Sequence, residues 1–398
     1  MVTGMSSNRV ALAHHWLMSM RGGEKMLAVL AGLFPEAPIY ALLANRDQLD
    51  PGLARRELRL SALQRLNWIP DLQRKALPLL ACAARSLDAT EFDTVICSDA
   101  AIIKAIRTRP DALKICYCHT PMRYVWDLYD DYYRQAGPIG RTGLRLFAER
   151  LRRADRQAAE TVDLFIANSR CVAERIRRNY GRPSIVIPPP VDVGFPPPVE
   201  HPDDYYLVVS ELVPYKRVDL AVDACSRLNR PLVVIGTGPL LADLRRRAGS
   251  CVRILGWQDD TVVRDHLRRC RAFLFCGQED FGLTPVEAIA AGRPVIAFRA
   301  GGALETVVED ATGLFFDAQT PECLAEAILS FESRLASPGE FWPAARIQEH
   351  AQLFSVENFR RRFTDVYEWA VRQYRAGGRQ LLTERLCEID VELTQLTS

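Results

Sequence analysis

The sequence predicts an α/β protein with two doubly wound domains. Its 398 residues exceed the usual size of a single hydrophobic core. Short apolar runs alternate with amphipathic segments of helical length, the pattern of parallel sheets covered by helices. A proline-dense stretch, 188–198, interrupts this alternation near the middle and cannot form a helix. We therefore expect one domain on each side of it.

Both halves contain apolar runs typical of buried strands. In the first half the predicted strands are Val10–His14, Pro38–Leu43, Thr94–Ser98, Leu113–Cys118 and Leu164–Asn168, and the clearest helices are Gly23–Leu33 and Arg170–Tyr180. In the second half the predicted strands are Tyr206–Ser210, Leu232–Ile235, Val252–Leu255, Ala272–Cys276, Val295–Phe298 and Gly313–Phe316. The helices there are Val218–Leu228, Pro239–Arg247, Thr261–Cys270 and Pro285–Ala291.

These elements define the expected domain boundaries. The predicted segments are a first domain 1–190, a linker 191–204, a second domain 205–350, an amphipathic helix 351–376 and a tail 377–398 with one more surface helix. The carboxyl ends of both sheets are expected to face a common cleft, since ligands bind there in open α/β sheets.

Composition excludes several classes of protein. Lys and Arg total 51 against 49 Asp and Glu, a balance that does not indicate nucleic-acid binding. No apolar stretch has membrane-spanning length, and residues 1–9 lack the apolar core of a signal peptide. The 11 scattered Cys indicate reduced thiols and a cytoplasmic protein. Cys116, Cys118 and His119 are not expected to bind a metal, because strand residues alternate between two faces.

Two carboxylates follow the predicted strand Ala272–Cys276. Glu279 lies in the loop, and Glu287 lies eight positions later in the first turn of the next helix. Such carboxylates can accept hydrogen bonds from sugar or ribose hydroxyls, beside a helix N-terminus that favours phosphate. The alternative is structural, because Thr284, Pro285 and Glu287 also form a capping box with Thr284 as N-cap.

The segment Glu279–Glu287 resembles the glutamate-x7-glutamate motif of retaining, nucleotide-sugar-dependent glycosyltransferases of family 4. These enzymes have two Rossmann-like domains facing across a cleft, the GT-B architecture. The resemblance covers nearly the whole chain. Three segments look most like mannosyltransferases of bacterial surface polysaccharides: His119–Trp126, Val213–Arg217 and Gly301–Glu305.

The resemblance implies roles for individual residues. His119 and Glu279 are the expected catalytic residues, and Arg123 is expected on the acceptor side. The expected donor-binding residues are Gly22, Gly23, Lys216, Arg217, Gly236, Gly238, Trp257, Phe281, Gly282, Leu283, Thr284 and Glu287. No metal or other cofactor is expected, because Lys216, Arg217 and helix amides supply positive charge.

Each of these sites has a structural alternative. The pair Gly22–Gly23 allows close approach of a ligand to helix amides, but also suits a short turn. Lys216 matches the family's phosphate-binding lysine, or it merely solvates a helix start. Gly236 and Gly238 are typical of any tight turn, and Trp257 of a packed surface residue as well as of base stacking.

The chain departs from the family at two positions. Glu211 stands where the family usually has a phosphate-binding Arg, so it must turn away from a phosphate or pair with Lys216, Arg217 or Arg299. His15 replaces the Asp of a common His-Asp-Trp-Leu segment. Neither His14 nor His15 is therefore placed among the catalytic residues. His119 is expected to orient the sugar.

A cationic segment in the first half is a candidate membrane surface. Arg145, Arg150, Arg152 and Arg153 alternate with Leu144, Phe147 and Leu151, and Leu66, Trp68, Ile69 and Pro70 offer an apolar anchor. An amphipathic basic helix can lie on anionic lipid. The alternatives are a solvated helix face and ordinary core.

The function predicted on this basis is transfer of a hexose, most readily mannose from GDP-mannose, to a lipid-linked glycan. The expected partners are a nucleotide-sugar donor and that acceptor, without nucleic acid, at the inner face of the cytoplasmic membrane or in the cytoplasm. A nucleotide-sugar epimerase or phosphorylase of the same fold, and a non-catalytic binding protein, remain alternatives.

Overall fold

The structure is a computed structural model that describes residues 8–66, 69, 77–127, 129–135, 137–337 and 342–395. The chain divides into two compact units. The first unit comprises Met1–Pro189 and Phe359–Ser398, and the second comprises Pro190–Asn358. The boundary between Pro189 and Pro190 therefore falls inside the proline-dense stretch 188–198.

The first unit contains a parallel sheet in the order β3-β2-β1-β4-β5-β6-β7. Its strands are β1 Val10–His14, β2 Ile39–Ala41, β3 Leu58–Leu60, β4 Thr94–Asp99, β5 Leu113–Cys118, β6 Leu164–Ala167 and β7 Ser184–Val186. The two edge strands, β3 and β7, were not predicted. Each has three residues, too few for a recognisable pattern. The strand order reverses between β1 and β4.

Helices flank this sheet. They are α1 Gly22–Leu33, α2 Pro51–Ala54, α3 Leu77–Ser86, α4 Tyr129–Gln135, α5 Pro138–Glu160 and α6 Arg170–Tyr180. Ser169 begins α6 as a side-chain cap, since its hydroxyl accepts a hydrogen bond from the Val172 amide at 3.2 Å. Gly181 ends that helix in the left-handed conformation (φ 65°).

The second unit contains a parallel sheet in the order β10-β9-β8-β11-β12-β13. Its strands are β8 Tyr206–Val209, β9 Leu232–Ile235, β10 Val252–Gly256, β11 Ala272–Phe275, β12 Val295–Phe298 and β13 Gly313–Phe316. Its helices are α7 Val218–Leu228, α8 Leu241–Arg247, α9 Asp260–Arg269, α10 Leu283–Ala290, α11 Ala303–Thr306, α12 Pro321–Ala336 and α13 Ala344–His350. The strand order reverses between β8 and β11, and both units are thus doubly wound.

Short 3₁₀ turns complete the secondary structure, at Arg46–Gln48, Ala62–Leu66, Ile103–Ala105, Pro214–Lys216 and Ala351–Phe354. The described helices include none that is both long and apolar enough to cross a membrane.

The capping box predicted at Thr284 is wrong. Helix α10 begins at Leu283 after Gly282, which adopts the left-handed conformation (φ 86°). Thr284 is consequently the second helical residue, Pro285 the third and Glu287 the fifth. Pro285 is tolerated there because the first turn needs no intrahelical amide donors. Glu287 is therefore not the third-position residue of a capping box that begins at Thr284.

The last helix, α14 Val356–Gln395, bends at Gly377 and Gly378. Before the bend, its aromatic side chains Phe359, Phe363 and Tyr367 are buried in one cluster with residues of the first sheet. Beyond the bend, Leu382 and Leu386 are buried in the same cluster. The tail is therefore a helix, as predicted, that buries one face in the first unit's core while most of its other described side chains, up to residue 388, are exposed.

Candidate functional site

Lys216 and Glu279 form an ion pair at the point where the second sheet reverses its strand order. Lys216 ends the 3₁₀ turn after β8, and Glu279 lies in the loop after β11. The two strands are neighbours, so their carboxyl ends form the crevice in which such sheets bind ligands. The side chains are 16% and 20% exposed, which leaves both accessible from solvent.

The space directly beside the ion pair is small. A cavity of about 10 Å³ remains between Ser210, Lys216, Cys276 and Glu279. Small-molecule sites usually enclose several hundred Å³, roughly 300–1,000. A ligand at this edge must therefore displace the ion pair or lie outside it.

Arg217 is held by groups other than a ligand. Its backbone is left-handed (φ 52°), and its guanidinium contacts both carboxylate oxygens of Asp219 at 3.2 Å. It also donates a hydrogen bond to the Gln319 carbonyl at 3.3 Å. These contacts direct Arg217 along the start of α7, so Lys216 is the better placed cation for the crevice.

The three cations that were expected near Glu211 each form ion pairs with other carboxylates. Glu211 is exposed. Lys216 pairs with Glu279, Arg217 with Asp219, and Arg299 with both Glu309 and Asp317.

Gly236 and Gly238 are required by the packing of two loops. Both have positive φ, 144° and 157°. A Cβ on Gly236 would lie 1.8 Å from the Ser210 carbonyl oxygen, and one on Gly238 would lie 2.5 Å from that of Leu212. The loop after β9 therefore rests directly on the loop that leads to Lys216, so any bulkier residue would shift the crevice.

The remaining predicted donor-binding residues differ in accessibility. Trp257, after β10, is 73% exposed and so is not a packed surface residue. Phe281 is 3% exposed and packs edge-on against Phe354, so only its main chain is available to a ligand. Leu283, Thr284 and Glu287 are half-buried on α10.

In the first unit, Gly22 and Gly23 begin α1, directly after the loop from β1. The N-terminal turn is stabilised by Glu24, which accepts a hydrogen bond from the Arg21 amide at 3.2 Å. A Cβ on Gly23 would lie 3.4 Å from Cε1 of His14 and 3.8 Å from Nε2 of both His14 and His119. The glycine pair and His119, predicted separately, thus meet where the first sheet reverses.

His119 belongs to a hydrogen-bonded group that the sequence did not reveal. The hydroxyl of Ser98 lies 2.8 Å from Nδ1 of His14 and 2.9 Å from Nε2 of His119. Burial, and then the neighbouring His15, lower the pKa of His119 to about 3. Burial, followed by His15 and His119, also lowers the pKa of His14 well below its usual value. Both rings are therefore neutral near pH 7.

A buried ionic network lies next to this group. The ammonium of Lys104 contacts Asp99 at 2.9 Å and Asp155 at 2.6 Å, and all three side chains are at most 2% exposed. Asp155 also accepts hydrogen bonds from Trp126 at 2.8 Å and Tyr180 at 2.7 Å. The network thereby ties the segment after His119 to helices α5 and α6.

The sequence analysis missed Lys104. One signal was present: Lys104 lies inside the run Ala101-Ile-Ile-Lys-Ala-Ile106, where a solvated cation is out of place. Burial lowers its pKa, but the carboxylates of Asp155 and Asp99 raise the pKa of Lys104 well above its usual value. A buried charge of this kind needs such partners.

The basic helix presents a different face from the one predicted. Leu151 is buried and Phe147 packs on the core, whereas Leu146 is 63% exposed. Arg152 points inward, donating to the Val125 carbonyl at 2.7 Å, while Arg145, Arg150 and Arg153 are exposed.

The predicted apolar anchor is only partly visible. Leu66 is 40% exposed and Ile69 packs against the core. Trp68 and Pro70 lie outside the described residues, as does the side chain of Leu144.

Arg123, the predicted acceptor-side residue, is half-buried. Within the described ranges, no group of three or more His, Cys, Asp or Glu is arranged to hold a metal.

Two family profiles match consecutive parts of the chain. Residues 41–195 match the profile described as Glycosyltransferase Family 4, and residues 195–345 match that of Glycosyl transferases group 1. The junction at residue 195 lies within the proline-dense stretch.

Individual proteins support the same grouping. The O-antigen chain mannosyltransferase C of Escherichia coli is 28% identical over 42% of this chain and 43% of its own length. The GDP-mannose-dependent alpha-(1-6)-phosphatidylinositol monomannoside mannosyltransferase of Mycobacterium tuberculosis is 33% identical over 30% of this chain. That match spans 36% of the mycobacterial enzyme, so the similarity to these curated relatives covers less than half of their length.

A solved structure matches over more of the chain. Anabaena HepE in complex with UDP and glucose aligns with 91% of this chain and 100% of its own, at a TM-score of 0.67 and 18% identity. At this identity the likeness establishes the fold.

Proposed function

Since this chain belongs to the family-4 glycosyltransferases and has the GT-B fold, we propose that it transfers a hexose from a nucleotide sugar with retention of configuration. The pairing of Lys216 with Glu279 at the reversal point of the second sheet carries this proposal. One side chain suits a diphosphate and the other suits sugar hydroxyls. Both stand at the sheet edge where ligands bind.

The proposed donor is GDP-mannose. The supporting observations are the names of the two mannosyltransferases from Escherichia coli and Mycobacterium tuberculosis that resemble this chain. The HepE structure, whose name includes UDP and glucose, makes a UDP-sugar the alternative donor. The exposed ring of Trp257 is available to stack on either base.

In the proposed mechanism the acceptor hydroxyl attacks the anomeric carbon from the face that the diphosphate leaves. Charge builds on the departing diphosphate, and Lys216 with the amides of α10 stabilises it. Glu279 accepts hydrogen bonds from the sugar, and Glu287 accepts them from the ribose. His119 and Arg123 of the first unit serve the sugar and an anionic acceptor.

The proposed acceptor is a lipid-linked glycan in surface polysaccharide synthesis, used at the inner face of the cytoplasmic membrane. The exposed Arg145, Arg150, Arg153 and Leu146 on α5 support this proposal. Cations beside an apolar residue favour an anionic lipid surface.

A panel of nucleotide sugars tests the proposal. Purified protein is screened with GDP-mannose, UDP-glucose and related donors by thermal shift, donor hydrolysis and transfer to a lipid-linked acceptor. Stabilisation by GDP-mannose with an axial product linkage is the expected result. Inversion at C2 without an acceptor would identify an epimerase, and a requirement for inorganic phosphate would identify a phosphorylase.

The presence of Glu211 keeps one further candidate open, a non-catalytic protein. That candidate predicts that no donor is consumed, and it gains support if no nucleoside diphosphate binds. The Lys216→Ala variant provides the control, because genuine donor binding must weaken when this cation is removed.

A further inference from the structure

Ser98 links two imidazole rings through one hydroxyl group. Its oxygen lies 2.8 Å from Nδ1 of His14 and 2.9 Å from Nε2 of His119. A hydroxyl has one proton to donate. Ser98 can therefore donate to only one of these rings and must accept from the other.

This restriction couples the tautomers of the two histidines, because both rings are neutral. In one arrangement Ser98 donates to His119, and His14 carries its proton on Nδ1. In the other arrangement Ser98 donates to His14, which then carries its proton on Nε2. His119 changes correspondingly, with its proton on Nδ1 in the first arrangement and on Nε2 in the second.

The far nitrogen of His14 has no hydrogen-bond partner among the described residues. His14 is fully buried, and its Nε2 would lie 3.8 Å from a Cβ placed on Gly23. Gly23 is the second residue of the 12-residue helix α1. A buried polar atom without a hydrogen bond destabilises the folded protein, unless a bound ligand supplies the missing hydrogen-bond partner.

We propose that Nε2 of His14, with the first amides of α1, binds a phosphate oxygen, and that Ser98 transmits this event to His119 by fixing its tautomer. His14 is then a ligand-binding residue and Ser98 a positioning residue. The proposal rests on the transferase function proposed above, since it assigns the phosphate to the donor or to a phosphorylated acceptor.

The change conserves protons. A phosphate oxygen accepts a hydrogen bond and thus requires a proton on Nε2 of His14. One proton enters there, the proton on Nδ1 of His14 passes to Ser98, that of Ser98 passes to His119, and one proton leaves Nδ1 of His119. Nδ1 of His119 then has a free lone pair, which accepts a hydrogen bond from a sugar hydroxyl.

Nitrogen-15 NMR of the histidine rings tests the coupling directly. The chain has 6 His, so ring signals can be assigned with single substitutions. The full-length protein is titrated with GDP and, separately, with inorganic phosphate. We expect His14 to become protonated on Nε2 and His119 on Nε2 in the same titration. A response to GDP identifies the donor as the source, and a response to phosphate alone identifies an acceptor phosphate.

Two His14 variants separate the functions of its nitrogens. The amide of Asn lies near the position of Nδ1, and the amide of Gln lies near that of Nε2. His14→Asn should weaken binding of the responding anion roughly 10-fold or more, the worth of a hydrogen bond to a charged group. His14→Gln should retain binding but abolish the response of His119. Equal affinity in His14→Asn and the wild type would overturn the binding role.

Ser98→Ala tests the relay without changing either ring. It should leave anion binding within about a factor of three and remove the tautomer change at His119. A change at His119 identical to that of the wild type would overturn the relay. These signals need no turnover, so absence of sugar transfer in the wild type would contradict the proposed function alone. A wild-type His14 ring that responds to neither anion would contradict this inference alone.

Discussion

Lys216 and Glu279 contact each other across the carboxyl ends of β8 and β11. The residue proposed to bind the diphosphate is thus neutralised by the residue proposed to bind the sugar. A nucleoside diphosphate must compete with the Glu279 carboxylate for the ammonium. Donor affinity and the strength of this ion pair are therefore opposed.

The first prediction concerns the carboxylate. Glu279→Gln should tighten GDP binding several-fold, because it frees Lys216 and removes a negative charge near the phosphates. The same variant should lose most sugar transfer, since the amide binds the sugar hydroxyls less well. Calorimetry with GDP and a transfer assay measure the two effects.

Glu332→Gln is the matched control for this variant. Glu332 pairs with Arg230, just before β9, and accepts a hydrogen bond from Tyr206, the first residue of β8, so it lies at the amino ends of these strands, opposite the crevice. It should leave both GDP affinity and transfer unchanged. If Glu279→Gln transfers sugar at the wild-type rate, Glu279 is not part of the catalytic site.

The second prediction concerns the cation. Lys216→Ala should weaken GDP binding by about 1.5–3 kcal/mol, the range for hydrogen bonds to charged groups. Calorimetry with GDP measures the loss. Arg230→Ala, which breaks the ion pair with Glu332 elsewhere in the unit, is the control and should bind GDP normally. Unchanged GDP affinity in Lys216→Ala would remove this residue from the site.

The sequence predicted where these two residues lie but not that they touch. Apolar runs followed by polar loops placed Lys216 and Glu279 at strand ends. Their contact depends on the sheet order, in which β8 is the neighbour of β11 although two strands separate them in sequence. Local patterns carry no information about such pairing, since it results from tertiary packing.

The third prediction follows from the true start of α10. Because Glu287 is the fifth helical residue and not the third residue of a capping box, Glu287→Ala should weaken donor binding with little loss of stability. Thr320→Ala is the control, since the Thr320 hydroxyl does cap α12 through the Cys323 amide at 3.2 Å. That variant should lose about 1 kcal/mol of stability and no donor affinity. Urea unfolding and GDP calorimetry compare the two; a larger stability loss in Glu287→Ala would contradict the prediction.

The error at Thr284 has a specific cause. The segment Thr284-Pro-Val-Glu287 satisfies the sequence rule for a capping box, but Gly282 already begins the helix in a left-handed conformation. Only a glycine reaches that conformation easily. The glycine two positions earlier therefore overrides the Thr-Pro signal.

The fourth prediction uses the closeness of Gly23 to two rings. Gly23→Ala should raise the melting temperature slightly, because Ala is favoured over Gly in a helix by about 1 kcal/mol and no contact is tighter than 3.4 Å. It should nevertheless weaken binding of whichever anion occupies the start of α1, because the methyl group fills space beside Nε2 of His14 and His119. Differential scanning fluorimetry with and without the anion measures both effects. Gly32→Ala, also within α1, should share the stabilisation without the binding loss; unchanged binding in Gly23→Ala would show that the space is not used.

The buried network shows what sequence patterns overlook. Lysine is usually a surface residue, so the sequence did not indicate that Lys104 is buried. Asp99 and Asp155 lie in segments in which the sequence showed no functional motif. Lys104 can contact both carboxylates only after the first sheet, which carries Asp99, and helix α5, which carries Asp155, have packed together. The sequence could at most indicate that a lysine among isoleucines needs a partner.

The fifth prediction concerns this network and its dependence on pH. Lys104→Met should destabilise the protein by about 3–5 kcal/mol at pH 7, the usual effect of leaving buried charges without a partner. Burial alone would raise the pKa of Asp99. The pKa is nevertheless lowered, because the charges of Lys104 and His15 and hydrogen bonds from loop amides favour the carboxylate. A lowered carboxyl pKa adds stability that is present above the unfolded pKa, roughly 3.9, and is lost as pH falls through the folded value.

Removing the ammonium reverses that shift, because burial then dominates and raises the pKa of Asp99. At neutral pH the Lys104→Met variant must bury Asp99 as a charged carboxylate. Once the pH falls toward the raised pKa, it buries Asp99 as a neutral acid instead. The difference in unfolding free energy between Lys104→Met and the wild type should therefore shrink between pH 7 and about pH 4.5. Urea unfolding at both pH values measures it, and Lys104→Met with Asp99→Asn should show a smaller loss at pH 7 than Lys104→Met alone. A difference that stays constant or grows toward acid would mean that Lys104 does not hold Asp99 in its charged form.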